Sequence, residues 1–228
     1  MAIKLGIISD PISGFNIKKD TGFAMMMQAQ KRGYEIYYME MGDLSLRQGK
    51  SYATAAKAQV FNNTEKWYEL EEKTTIALAD LDVILMRKDP PFDTEYIYAT
   101  YILERAEQEG TLIINKPQSL RDANEKLFTA WFSEHTPDTL VTRSQAQIRA
   151  FLAEHKDIIL KPLDGMGGAS IFRIKEDDAN IGVICETLTE HGSCFAMVQN
   201  YIPEIKQGDK RVLVVDGEVI PYCLARIP

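Results

Sequence analysis

Residues 157–170, reading DIILKPLDGMGGAS, limit the architecture more than any other stretch of this chain. Ile158, Ile159 and Leu160 form a short apolar run suited to a buried strand, and Lys161 stands at its end. Pro162 with Gly165, Gly167 and Gly168 then breaks any regular ladder. Two common glycine-loop folds are excluded. A P-loop carries its lysine after the last glycine and opens a helix, whereas here the lysine comes first. A dinucleotide fingerprint needs a third glycine where Ser170 stands, and again a helix. Residues 170–176 instead alternate apolar and polar side chains, as a half-exposed strand does. The stretch is therefore strand, loop, strand. Glycines allow positive φ and close approach of backbone N–H groups to an anion, and a lysine adds charge. Such a loop suits a flap that closes over a triphosphate and equally an ordinary glycine-rich hairpin.

The first 115 residues alternate strand and helix. Ile3 to Ser9 reads as a buried strand ended by Asp10-Pro11, and a helix is expected between about Lys18 and Arg32, with Gly33 as its cap. A strand at Glu35 to Met39 follows. Residues 43–73 show turn signals at Gly49 and Asn62-Asn63 and a packed excursion at Trp67-Tyr68, with no functional pattern. Leu81 to Arg87 is a strand, Asp93 or Thr94 caps a helix with Ile97, Tyr98, Tyr101 and Ile102 as its apolar stripe, and Thr111 to Asn115 is a further strand. This grammar predicts a doubly wound parallel sheet covered on both faces. Ligands of such sheets gather beyond the carboxyl ends of the strands, which points to Asp10 to Ser13, Arg87 to Asp89 and Asn115-Lys116.

Asn115 to Asp122 is the expected domain junction. Asp122 and Glu125 have the spacing of a capping box, with Leu127, Phe128 and Trp131 on one helical face. Lys126 then falls near the positive end of that helix, a poor place for a cation unless an anion sits beside it; a plain surface lysine is the alternative. Beyond it come a strand at Leu140 to Arg143, a helix at Gln145 to His155, the glycine stretch, a helix from about Asn180 to His191 and a strand at Phe195 to Gln199, read as a small sandwich of two strand-helix-strand halves. Asp216-Gly217 between apolar runs predicts a hairpin. The reading stops at Pro228 directly after that hairpin, without a further partner strand, which is the expectation for a domain cut short.

Composition removes several function classes. A net charge of −7 leaves no basic face for nucleic acid. No apolar run approaches the ~20 residues of a membrane span. Cys185, Cys194 and Cys223 are too few and too irregular for a disulfide framework or a zinc site, which suits a reducing cytoplasm; Cys185 and Cys223 are expected to pack internally. No G-x-S-x-G occurs, and His135, His155 and His191 share no helical face that a metal could bridge.

The order of parts is distinctive: a lysine at a helix start, a second before D-G-M-G-G, then Q-N-Y-I, G-D-K-R and R-V-L-V-V-D-G. This order resembles the ATP-grasp superfamily. Within it, Met86 to Asp93, Asn115 to Asp122, Lys161 to Ser170 and Gly208 to Pro228 resemble the bacterial glutathione synthetases, and the similarity runs the length of the chain. The resemblance implies an α/β protein with a substrate domain at 1–122, an ATP-grasp lid at 123–203 and the start of the large ATP-grasp subdomain at 204–228. It implies an ATP-dependent ligase joining γ-glutamylcysteine to glycine through an acyl phosphate. Lys126 and Lys161 would hold the phosphates, Lys161 also reaching the adenine, with Gly165, Met166, Gly167 and Gly168 as the flap. Gln199, Asn200, Tyr201 and Ile202 would read the adenine and Asp209 the ribose. Lys210, Arg211 and Arg226 would stabilise the transferring phosphoryl, and Ser13, Arg87 and Asp89 would grip the dipeptide. The resemblance also implies Mg²⁺ or Mn²⁺ held by residues after Pro228, hence weak nucleotide binding and poor turnover for residues 1–228 alone, and a cytoplasmic homotetramer. Another carboxylate-amine ligase of the superfamily, or a non-catalytic nucleotide-binding module, would share the nucleotide residues.

Overall fold

A computed structural model describes residues 2–88, 91–165 and 167–227, so Asp89 and Met166 lie outside the described residues. The chain divides into two compact units, one covering 1–124 with 164–166 and the other 125–163 with 167–228.

The first unit runs β1 (Lys4–Ile8), α1 (Thr21–Lys31), β2 (Glu35–Met39), β3 (Leu44–Arg47), β4 (Lys50–Val60), β5 (Tyr68–Leu70), β6 (Thr74–Ala77), β7 (Val83–Met86), α2 (Thr94–Gln108), β8 (Leu112–Ile114) and α3 (Pro117–Asp122). The expected parallel strands are there, in the order β2-β1-β7-β8. Alternation along β1 sends Leu5 and Ile7 into one core with Phe23, Met26 and Ala29 of α1. Ile8 goes into another core with Tyr96, Ala99, Leu103 and Ala106 of α2. Each such buried aliphatic contributes about 1.5–3 kcal/mol. Gly6 faces the second core so closely that an added Cβ would meet the Leu81 side chain at 2.8 Å, so a larger residue would force Leu81 to shift.

The sheet extends further than the sequence suggested. β4 pairs antiparallel with β2, β3, β5 and β6, so the excursion at 43–77 is an antiparallel extension of the same sheet. Alanine hides it: Ala53, Ala55, Ala56 and Ala58 are four of the six buried residues of β4, with Ser51 and Val60, and alanine carries little strand preference.

The apolar stripe of α2 is also corrected. Asp93 caps the helix as expected, accepting from Tyr96 N at 2.8 Å. The face that enters the core, however, is Tyr96, Ala99, Thr100, Leu103 and Ala106, while Tyr98 and Tyr101 stay half exposed. The alanines let the helix lie close to the sheet. Tyr101 instead serves as a platform for the Arg121 guanidinium at 4.6 Å, which α3 presents and Glu104 pairs at 2.8 Å.

The second unit contains β9 (Thr139–Thr142), α4 (Gln145–His155), β10 (Asp157–Pro162), β11 (Phe172–Lys175), α5 (Ile181–Leu188), β12 (Ala196–Asn200), β13 (Asp209–Val215) and β14 (Glu218–Arg226). β9 to β12 form one antiparallel sheet in the order β11-β10-β12-β9. It is not a sandwich of two halves, because both helices pack on a single face. Ile158, Leu160, Ile174, Ala196 and Val198 point to that face and bury Ile148, Phe151, Leu152, Cys185 and Leu188. The expected hairpin forms β13 and β14, with Asp216 and Gly217 both at positive φ (50° and 79°) in its turn. Cys223 lies exposed on this hairpin and does not pack internally, unlike Cys185.

The helix expected from Asp122 is absent. α3 ends at Asp122, and residues 127–135 form a 3₁₀ run broken at Phe132 (φ −126°, ψ 49°). Phe128 and Trp131 explain it: their rings stack at 5.2 Å, and a 3₁₀ turn superposes side chains three apart. The dipole argument for Lys126 therefore falls.

Two buried hydrogen bonds hold the loop after β1. Tyr38 Oη accepts from Ile12 N at 3.0 Å and donates to Glu40 at 2.7 Å, and Trp67 Nε1 donates to Ile12 O at 2.8 Å. Burial and the Glu40 carboxylate push the Tyr38 phenol well above its ordinary pKa, so it stays protonated. Tyr38→Phe keeps the ring but strands the Ile12 N–H, and a loss of about 1–3 kcal/mol in chemical denaturation is expected. An unchanged midpoint would mean that water replaces the phenol.

Candidate functional site

Strand alternation sorts the second unit's sheet into a packing face and a chemical face. Residues directly opposite in antiparallel strands point the same way. Lys161 opposes Met197, Ile159 opposes both Gln199 and Arg173, and Gln199 opposes Thr139. These side chains share the face without helices. Asn200 opposes Ile158 and so points into the helix-packed face, where its side-chain oxygen is buried without a hydrogen-bond partner. Of the expected adenine-reading segment, Gln199 and Tyr201 thus belong to the open face and the Asn200 side chain does not; Ile202 is exposed.

Two lysines dominate the open face. Lys161 Nζ donates to Gln199 Oε1 at 2.8 Å, and Lys126 Nζ donates to the Pro162 carbonyl at 2.9 Å, one residue along. Burial first, and then the charge of Lys126, lowers the Lys161 pKa below its ordinary value. Among the described residues no carboxylate forms a salt bridge with Lys161. A half-buried cation next to another cation, with a neutral amide as its acceptor, is unfavourable until an anion arrives. This donor set fits a polyphosphate.

Beside the lysines, Tyr201 lies against the Arg173 guanidinium at 3.6 Å, and Arg173 is itself held by Asp157 through bonds of 2.9 and 2.6 Å. That pair keeps the Asp157 carboxyl below its usual range. Arg173 was missed by sequence reasoning, although its position two residues from the loop in an alternating strand was the available signal. Gly165, Gly167 and Gly168 have φ of 76°, 73° and 80°, with open space where a Cβ would stand. They are required for their backbone conformation and not for room.

On the hairpin, Asp209 opposes Arg226 and both its oxygens are taken by that guanidinium, Nε to Oδ1 at 2.7 Å. Arg211 is two residues along the same face and its charge also lowers the Asp209 pKa, whereas Lys210 points to the other face. Gly208 must be glycine: at φ 100° a Cβ would sit 2.2 Å from Arg226 O.

In the first unit, Ser13 is exposed on the short 3₁₀ turn Ile12–Gly14 after β1. Arg87 is exposed just beyond β7, with its N–H donating to Ile8 O at 2.7 Å. Lys88 pairs with Asp10 at 2.7 Å, joining the two strand-end loops. In the second unit, His155 lies tilted against the Phe151 ring at 4.2 Å and meets Asp138 at 3.1 Å.

Comparison with known proteins agrees with this arrangement. Residues 3–121 match the family model for the prokaryotic glutathione synthetase N-terminal domain, and residues 125–228 the model for its ATP-grasp domain. The chain belongs to the prokaryotic glutathione synthetase family. Glutathione synthetases of Shigella flexneri and Salmonella typhimurium are each 70% identical to it over 226 residues, and that of Escherichia coli K12 is 69% identical. The match covers 99% of this chain and 72% of each relative. Among solved structures, D-cycloserine synthetase DcsG superposes with a TM-score of 0.63 at 15% identity, covering 99% of this chain and 75% of that one. D-alanyl-alanine synthetase A from Vibrio cholerae superposes at 0.59 and 12% identity, covering 100% and 68%. These show the shared ATP-grasp fold. Like other members of the glutathione synthetase family, the chain is an ATP-dependent ligase that binds ATP. No helix among its described residues is long and apolar enough to cross a membrane.

The lowered Lys161 pKa has a consequence for this ligase. A lysine with a depressed pKa loses its charge at a lower pH than the ordinary 10.5. ATP affinity is expected to be full below the lowered value and to fall as pH rises through it. Lys126→Gln removes the neighbouring charge and moves the fall to higher pH, which titration of a non-hydrolysable ATP analogue measures. An alkaline limb in the same place in both proteins would show that the two cations are not coupled.

Proposed function

We propose that this ligase makes the last amide bond of glutathione from γ-glutamylcysteine and glycine, and that the open face of the lid sheet is where it holds ATP. The observation that carries the reading is Lys161, a half-buried ammonium held by the neutral Gln199 amide with the Lys126 charge lowering its pKa. Residues 1–122 form the substrate domain, 123–203 the lid and 204–228 the beginning of the large ATP-grasp subdomain.

A carboxylate is a poor electrophile until its oxygen becomes a leaving group. The C-terminal carboxylate oxygen of the dipeptide attacks the γ-phosphorus, the bond to the β-phosphate oxygen breaks and ADP departs. The amine of glycine then attacks the acyl carbon, the carbon–oxygen bond breaks and phosphate leaves, with the amine proton lost to solvent. Positioning and charge supply most of the acceleration in such chemistry. Lys161 and Lys126 hold phosphate oxygens, and Gly165 to Gly168 close over the tail and keep water from the acyl phosphate. Tyr201, with Gln199 and the backbone through Ile202, lies along the adenine. Ser13, Arg87 and Asp89 bind the dipeptide. Mg²⁺ or Mn²⁺ neutralises phosphate oxygens in such sites, and none of the residues named here is assigned as its ligand.

Asp209 and Arg226 need to exchange partners. In this structure they satisfy each other in a solvent-exposed pair, of the kind that contributes little to stability. Nucleotide binding therefore separates them at little cost, freeing Asp209 for ribose hydroxyls and Arg226, with Arg211, for the moving phosphoryl. The enzyme acts as a cytoplasmic homotetramer.

Lys161→Ala is expected to weaken ATP binding by about tenfold to a hundredfold, from loss of a charge-assisted contact of 1.5–3 kcal/mol. Unchanged affinity would remove the lysine from the site. Release of ADP and phosphate with γ-glutamylcysteine plus glycine, and none with D-alanine pairs, is the expected substrate result; the reverse would assign another ligase of the fold. Arg226→Lys keeps the charge but loses the planar fork, and a fall in kcat larger than the change in ATP affinity is expected.

A further inference from the structure

The Gln199 amide bridges two groups, and its orientation is decided outside the lysine site. Thr139 Oγ1 lies 2.7 Å from the Pro137 carbonyl oxygen, Gln199 Nε2 lies 2.9 Å from Thr139 Oγ1, and Lys161 Nζ lies 2.8 Å from Gln199 Oε1. Donors and acceptors along this chain permit one order only. A carbonyl oxygen accepts and cannot donate, so the Thr139 hydroxyl gives its proton to Pro137 and is left with lone pairs. Those lone pairs need a donor, which only the NH₂ end of Gln199 supplies. The oxygen end must then face Lys161. Turned over, the amide would aim its NH₂ at an ammonium and its oxygen at a hydroxyl whose proton is already committed.

We infer that Thr139 is a positioning residue of the nucleotide site, holding the Gln199 amide so that its oxygen orients Lys161 and leaves the other two ammonium N–H groups for phosphate. The inference rests on the reading that Lys161 contacts ATP. Its geometry comes from the sheet itself: Thr139 and Gln199 are direct cross-strand partners, and Gln199 in turn opposes Ile159, two residues before the lysine. A neutral amide suits the task better than a carboxylate would, because it orients the ammonium without cancelling the charge the ligand needs.

Thr139→Val removes the hydroxyl at nearly constant volume, and Thr139→Ser keeps it while removing the methyl. With the full-length enzyme, the expected result is ATP affinity within about twofold of the parent for the serine variant and about five- to twentyfold weaker for the valine variant, with kcat changed much less. In a Gln199→Ala background, Thr139→Val is expected to have no further effect, since the group it positions is gone. Equal losses in the serine and valine variants would mean a packing role and overturn the inference. So would a full valine effect in the Gln199→Ala background. Lys161→Ala separates the two levels: if it leaves ATP affinity unchanged, the nucleotide reading fails, and if it weakens binding while Thr139→Val does not, only the positioning role fails.

Discussion

A positive charge without a counter-charge, held half out of water, is the constraint around which the second unit is arranged. Folding could have avoided it with an acidic neighbour, as it did for Arg173 with Asp157 and for Lys156 with Glu176. At Lys161 it supplies an amide instead, and a second lysine nearby makes the position still less favourable. A half-buried ammonium in that setting costs stability, and an anion brought beside it would offset the cost. Lys161 is thus oriented by a neutral amide, where Arg173 and Lys156 are each held by a carboxylate.

Period-two alternation converts that local choice into a site. Because α4 and α5 cover one face of the sheet, every second residue of β10 and β12 is committed to packing, and the intervening ones are released for chemistry. Lys161 and Gln199 fall into the second set and Asn200 into the first, although Gln199 and Asn200 are neighbours in sequence. A short motif such as Q-N-Y-I therefore mixes residues that act through side chains with residues that can contribute only backbone.

How much of this was legible depended on whether the deciding term was local. The strand, lysine and glycine stretch at 157–170, the helix at 145–155 and the Asp216-Gly217 turn rest on local propensity and appear as expected. The α2 face was misjudged because size suggested Tyr98 and Tyr101, while the close approach of helix to sheet selected Ala99 and Ala106. β4 was missed because most of its buried residues are alanines, whose strand conformation is imposed by four neighbouring strands and not by preference. The turn at Lys126 failed for a similar reason: an aromatic stack at 128 and 131 overrode a plausible cap. Thr139 gave no signal, because its role exists only through cross-strand register.

The same reasoning distinguishes two kinds of ion pair around the site. Asp157 and Arg173 form a bidentate pair whose guanidinium also covers the Tyr201 ring, so separating them would expose an aromatic face and strand two hydrogen bonds at once. Asp209 and Arg226 form a bidentate pair with no ring stacked on it among the described residues, on a hairpin exposed along most of both strands. The first pair is fixed by three interactions that fail together, and it belongs to the scaffold. The second is fixed by its two hydrogen bonds alone, both on a solvent-exposed pair. The same bidentate chemistry is thus locked at one position and open to exchange at the other, and the difference lies in what else touches the arginine.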